Sequence, residues 1–201
     1  MKEHKVNKLN NFIAGWYFED TSVCDKIIEF FNRDTTPKVE GKVLDSLSEN
    51  KKSIDKNYKN SLDALLLDEQ LCIEYLTQLK SVIEKYKKKY PWCNNVPLWS
   101  MEKMPQIQYY VPKEGGFLEW HHERVSNDPD VIHRHLVYMT YLNDVTDGGE
   151  TAWYHQNLKI KPEKGLTVIW PADWTFTHKG CVSNTQEKYI VTGWYNIYQQ
   201  K

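Results

Sequence analysis

The C-terminal half of the chain limits most tightly what it can fold into. From Met104 onward, the runs "PQIQYYV", "HLVYMTYLN", "LTVIWP" and "KYIVTGWYNIY" are short and rich in Val, Ile, Tyr, Trp and Thr. Residues branched at Cβ and aromatic residues fit an extended, pleated backbone. Turn-forming residues separate the runs: Pro112 with Gly115-Gly116, Asp147-Gly148-Gly149, Pro162 with Gly165, and Lys179-Gly180. Parallel strands would need crossover helices, and none fits between these runs, so an antiparallel sandwich or barrel is expected.

The first half has a different texture. Val23, Ile27, Ile28, Phe30 and Phe31 form an apolar stripe at helical spacing, behind the cap residues Asp20-Thr21-Ser22. Ser61 to Tyr90 is the strongest helical stretch, with Leu71, Tyr75, Leu76, Leu79, Val82, Ile83 and Tyr86 at three- and four-residue steps. Its lysines gather at the C-terminal end, where the helix dipole favours cations, and Pro91 ends it. Thr35 to Asn60 is polar and reads as mostly irregular, with a short strand near Val39. Within it, Lys38 to Asn60 is a candidate lid over a site. The expected fold class is α+β with a mainly β core and N-terminal helices packed on one face. We expect a single domain spanning 1–201, mainly helical over 1–103, with the β core over 104–201.

Composition narrows the function classes. The 201 residues are 40% apolar and 13% aromatic, enough for one sizeable core. A formal net charge of −1 provides no general attraction for nucleic acid or an anionic membrane. No run approaches the roughly 20 apolar residues of a membrane span. Cys24, Cys72, Cys93 and Cys181 form no C-x-x-C pair, which argues against a zinc site of ordinary spacing. With no apolar leader at the N-terminus, reduced thiols and a cytoplasmic location are expected, including that of a viral protein in a host cytoplasm.

One constellation carries chemistry. In "EWHHERV", His121 and Glu123 stand two apart, so on a strand both would point to one face. His178, after "GLTVIWPADWTFT", is the natural third ligand from another strand. Two imidazoles and a carboxylate leave half an octahedron open, the facial arrangement of non-haem Fe(II) oxygenases. Lys188 follows ten residues after His178, inside an apolar run where a lysine is costly to bury alone. It could bind the distal carboxylate of a 2-oxoglutarate cosubstrate. Two competitors are weaker. His122-x-Arg124 lacks a carboxylate, and His133-x-His135, a cupin-like pair, has Met139 where a ligating Glu would be wanted.

The ordered series "YYVPKEGGFLEWHHE", "RHLVYMTYLNDVTDGGETAW", "IKPEKGLTVIWPADWTFTHKG" and "KYIVTGWY" resembles the 2-oxoglutarate/Fe(II) dioxygenase superfamily. The likeness is greatest to prolyl 4-hydroxylase-like proteins, including forms common in phage genomes, and covers Gln106 to Tyr198. It implies a double-stranded β-helix, or jelly roll, with His121, Glu123 and His178 as metal ligands and catalytic centre. It implies Lys188 and Tyr110 on the far carboxylate of 2-oxoglutarate, and Trp194 as an aromatic near the iron. Gly148-Gly149-Glu150-Thr151 matches a structural turn of the family. The implied cofactors are Fe(II), 2-oxoglutarate and O2, with ascorbate as a candidate reductant. The implied partner is a peptide or protein in which a prolyl C–H is hydroxylated, with release of succinate and CO2. Two departures stand out: Glu123 replaces the usual Asp, and the family's central-strand Thr is absent from His135-Leu136-Val137-Tyr138. The alternatives are an inactive or structural β-sandwich binding module and a nucleobase-modifying oxygenase. The latter would carry arginines after the distal His, and none lies between His178 and Lys201.

Overall fold

A computed structural model describes residues 1–5, 11–44 and 52–198 of the chain. Two antiparallel sheets face each other as a jelly roll. The larger has nine strands. Its order is Glu3–His4, Ala14–Tyr17, Leu166–Pro171, Arg134–Tyr141, Lys188–Ile197, Gln106–Tyr110, Leu62–Leu65 and Val39–Glu40, with Trp99–Ser100 beside Lys188–Ile197. The smaller runs Leu158–Ile160, Thr151–Trp153, His178–Gly180, Gly116–His121 and Lys59–Asn60.

Helices α1 (Ser22–Asn32) and α2 (Glu69–Lys89) cover the outer face of the larger sheet. That sheet is therefore buried on both sides, and its central strands read as continuous apolar runs. Along Arg134–Tyr141, Leu136 and Tyr138 pack toward Ile27, Tyr75 and Leu79 of the helical layer. The intervening Val137, Met139 and Tyr141 pack inward with Val168, Trp170 and Trp153. One strand thus joins two cores through the period-two alternation of its side chains. Where a polar group falls on the helical side it is satisfied: Thr140 meets the Tyr75 hydroxyl at 2.9 Å and Thr167 Oγ1 at 2.7 Å.

Two readings of the first half need correction. The helix expected from Ser61 begins at Glu69, where the Asp68 side chain caps it by accepting the Leu71 N–H at 3.1 Å. Leu62–Leu65 is a strand, because the exposed ladder of Gln106–Tyr110 satisfies its backbone, with Leu62 opposite Tyr109 and Leu65 opposite Gln106. Thr35 to Asn60, read as mostly irregular, carries short strands at Val39–Glu40, Val43–Leu44, Lys52–Ser53 and Lys59–Asn60. The strand near Val39 is where the sequence suggests it. Of the candidate lid, residues 45–51 lie outside the described residues. Residues 59–65 cross from the smaller sheet to the larger: Lys59 pairs with Phe117, and Asp63 with Gln108. This strap closes one side of the space between the sheets. Among the described residues, no helix is long and apolar enough to cross a membrane.

Candidate metal and cosubstrate site

Between the inner faces of the two sheets lies a cavity of about 580 Å³. Residues Lys188, Ile190, Thr192, Trp194 and Asn196, at every second position of one strand, line it. The odd-numbered Tyr189, Val191 and Tyr195 face the helices instead.

His121 ends the strand Gly116–His121, and His178 begins its neighbour, directly across the ladder. The rings are 4.3 Å apart between centroids. Glu123 lies two residues beyond the strand end, where its N–H donates to Ala172 O at 3.2 Å. The Nε2 of His178 is 3.4 Å from Glu123 Oε1. One ligand atom from each of His121, Glu123 and His178 falls within 4.8 Å of the others. Among the described residues, this is the only group of His, Cys, Asp and Glu so arranged. His133 and His135 are not part of it; His135 Nε2 contacts Cys93 O at 2.8 Å and its ring packs on Trp99. His122 also stays outside.

The surrounding bonds prepare the three groups for a cation. Both imidazoles donate Nδ1–H to a backbone carbonyl two residues earlier, His121 to Glu119 O at 3.0 Å and His178 to Phe176 O at 2.9 Å. With each Nδ1–H so committed, it is the Nε2 of each ring that is turned to a metal. Burial, and then the neighbouring His178, push His121 down to about 3, so its ring is neutral at physiological pH. Burial also works against ionising Glu123, but the His178 bond and the Arg134 charge outweigh it and hold the carboxyl well below the usual range. Glu123 Oε2 accepts from Arg134 Nη1 and from Trp194 Nε1, both at 2.9 Å. The Arg134 guanidinium in turn stacks 3.7 Å above the Trp194 ring. One carboxylate oxygen is therefore anchored, and the other faces the imidazoles. The extra methylene of Glu over Asp is taken up in this anchored geometry. Two imidazoles and a carboxylate oxygen suit Fe(II).

Lys188 is 3% exposed, and its Nζ donates only to Gly149 O at 3.1 Å and Cys181 O at 3.3 Å. Desolvation pushes it down to about 8. The Gly148-Gly149 turn builds its seat: both glycines have positive φ, and a Cβ on Gly148 would collide with Val182 O. Tyr110 lies beside Lys188, with Nζ 4.6 Å from its ring centroid, while its hydroxyl donates to Gln108 Oε1 at 2.7 Å. The six residues singled out in the sequence thus all line one cavity. Trp170 lines it as well, and Trp174 is 63% exposed.

Sequence reasoning missed Lys59, Asp63, Gln106 and Gln108, all in the cavity wall. The two glutamines left a signal, since polar residues at alternate positions of an otherwise apolar strand must face something polar. Lys59 and Asp63 left none, because the strap that buries them is a tertiary feature. Arg134 is the ion-pair partner of Glu123.

Residues 105–196 match the family model of the 2OG-Fe(II) oxygenase superfamily. No curated protein sequence matches the chain. Solved structures do. A viral collagen prolyl hydroxylase from Paramecium bursaria Chlorella virus-1, in complex with 2OG, aligns at TM-score 0.65 and 16% identity, over 94% of this chain and 98% of that one. A prolyl-4-hydroxylase from Pseudomonas putida aligns at TM-score 0.67 and 14% identity, over 94% of each chain. A prolyl hydroxylase from Trichoplax adhaerens, in complex with a hypoxia inducible factor oxygen degradation domain peptide fragment, aligns at 0.69 and 16%, over 96% and 86%. At such identities the likeness is one of fold. The strands that carry the cavity are thus similar to the 2OG-Fe(II) oxygenase superfamily, and the fold is similar to that of solved prolyl hydroxylases.

Proposed function

We propose that the chain is an Fe(II)- and 2-oxoglutarate-dependent dioxygenase that hydroxylates a prolyl residue in a peptide or protein. The observation that carries this reading is the pairing of two features in one cavity: the His121–Glu123–His178 group and a buried lysine that, among the described residues, has no carboxylate at ion-pair distance. His121, Glu123 and His178 would hold Fe(II), and Lys188 would hold the distal carboxylate of 2-oxoglutarate. Bound Fe(II) supplies the oxidation: one oxygen atom of O2 enters a substrate C–H bond as hydroxyl, the other enters succinate, and CO2 leaves.

The chain's own residues do the rest. Arg134 and Trp194 keep the Glu123 carboxylate ionised and aimed. Lys188 is costly to leave charged in a dry wall, so a carboxylate that neutralises it is favoured there. The apolar inner face at Met139, Trp170 and Ile190 keeps water from the reacting centre. On the same wall, Asn196 Oδ1 is buried without a protein partner and could accept an amide N–H of an extended peptide. The peptide-bound Trichoplax neighbour and the viral and bacterial prolyl hydroxylases support the substrate class.

The test is an anaerobic titration of metal-free protein with Fe(II) and then 2-oxoglutarate, watched for the visible charge-transfer band of the chelate. We expect a band in the wild type and none in His178→Ala. Tight Fe(II) binding with no band on adding 2-oxoglutarate would point to another metal chemistry. No Fe(II) binding would make the protein a binding module. Proline-containing peptides should then stimulate succinate release and gain one oxygen atom by mass. An intact band with no response to any of them would end the prolyl assignment.

A further inference from the structure

One wall of the cavity carries a chain of polar side chains that the proposed chemistry leaves unused. Lys59 and Asp63 are 3% and 2% exposed, and Lys59 Nζ donates to Asp63 Oδ2 at 2.7 Å. Gln106 Nε2 donates to the same oxygen at 2.9 Å, and the Ser61 hydroxyl to Oδ1 at 2.8 Å. Gln106 Oε1 accepts from Gln108 Nε2 at 3.4 Å. Gln108 Oε1 accepts the Tyr110 hydroxyl at 2.7 Å. The chain therefore runs without a break from the strap to the residue beside Lys188.

It also has a direction. A carboxylate paired with a lysine only accepts hydrogen bonds. Asp63 thus obliges Gln106 to present its NH2 group, which turns the Gln106 oxygen toward Gln108. Gln108 must then present its own NH2 to Gln106 and its oxygen to Tyr110. A tyrosine hydroxyl has one proton, and here it is committed to Gln108. Tyr110 faces any anion at Lys188 as an acceptor. It can donate to that anion only by leaving Gln108 Oε1 unpaired in a buried wall, which costs about as much as a hydrogen bond to the anion returns.

We propose that Asp63 is a positioning residue: acting through Gln106 and Gln108, it holds the Tyr110 proton away from the Lys188 pocket and so weakens the grip on the distal carboxylate of 2-oxoglutarate. This rests on the cosubstrate assignment above. The strap bearing Lys59 and Asp63 is then coupled to the cosubstrate pocket, and a change at one end reverses the hydrogen bonds along the whole chain. The corollary has an unusual sign, because damage to the relay strengthens ligand binding. Asp63→Ala removes the acceptor, so Lys59 turns to the Gln106 oxygen and every link reverses, freeing the Tyr110 proton. Gln108→Leu removes the acceptor of that proton without touching the ion pair, which guards against an unstable Asp63 variant.

The experiment measures dissociation constants of 2-oxoglutarate and of pyruvate, a 2-oxo acid with no distal carboxylate, on the Fe(II)-loaded protein under anaerobic conditions. We expect Asp63→Ala and Gln108→Leu to bind 2-oxoglutarate about tenfold tighter, the worth of one hydrogen bond to a carboxylate. Pyruvate binding should not change, and adding Tyr110→Phe to either variant should erase the gain. A merely structural role for Asp63 predicts weaker binding of both acids. Lys188→Met separates the two claims. If it abolishes the preference for 2-oxoglutarate while Asp63→Ala and Gln108→Leu leave that preference unchanged or weaker, the relay is wrong and the cosubstrate pocket stands. If Lys188→Met keeps the preference, the pocket assignment fails and the relay fails with it.

Discussion

Lys59 and Lys188 are equally buried, each 3% exposed, and both line the same cavity. Lys59 has its counter-ion within the fold, Asp63, which is further held by Ser61 and Gln106. Lys188 has only two backbone carbonyls and an aromatic face. The first arrangement is electrically complete, and the second is completed by a ligand. A buried cation therefore says little about function until its partners are counted. The same contrast separates Arg134, which is paired with the Glu123 it aims, from Lys188, which among the described residues has no carboxylate at ion-pair distance.

The contrast can be broken from either side. The largest effect is expected from Asp63→Ala, which leaves Lys59 buried without its counter-ion; unfolding in urea should show a loss of about 3–5 kcal/mol. Lys188→Met should do the opposite to the free protein. It removes a desolvated cation and so should raise stability by about 1–3 kcal/mol at neutral pH. The same variant should weaken 2-oxoglutarate binding about a hundredfold. Loss of stability in Lys188→Met would mean that Lys188 is an internally satisfied group like Lys59.

A smaller effect is expected at the metal end, where Trp194→Phe removes one of the two donors to Glu123 Oε2. Fe(II) affinity should fall about tenfold, with the fold intact by circular dichroism. An unchanged affinity would leave Arg134 as sufficient orientation for Glu123.

The smallest effect is on pH. Lys188 is depressed to about 8 by burial, so between there and the ordinary lysine value the unfolded chain holds more protons than the folded one. Stability of the ligand-free protein should therefore rise with pH across that window. Affinity for 2-oxoglutarate should fall over the same range, by about fourfold between pH 7 and 8.5, because the ammonium that binds it is lost. Lys188→Met should flatten both profiles.

Much of the architecture was legible in the chain. The apolar runs after Met104 announced strands, because residues branched at Cβ and aromatic residues suit a pleated backbone and turn residues separate the runs. The i, i+2 spacing of His121 and Glu123 pointed to the right pair, but only His121 is on the strand; Glu123 lies beyond its end and is aimed by Arg134 and Trp194. His178 could be found from its place after an apolar run and before a turn. Less was legible where local propensity and tertiary pairing disagree. Leu62–Leu65 has leucines and an alanine that suit a helix, and it is a strand because Gln106–Tyr110 has an open edge. Lys59 falls in a stretch that reads as a polar loop and Asp63 in one that reads as the start of a helix, and both are among the most buried charges among the described residues.

By itself, the sequence determined the β-rich core, the helical layer, and the identities of three candidate ligands and one lysine. These depend on side-chain period and chemistry, which are local properties. Only the tertiary structure decided which charges are already paired, which carboxylate oxygen is held, and where the Tyr110 proton points. Those depend on which groups from distant segments meet out of water, where one partner more or less changes the sign of a charge's contribution.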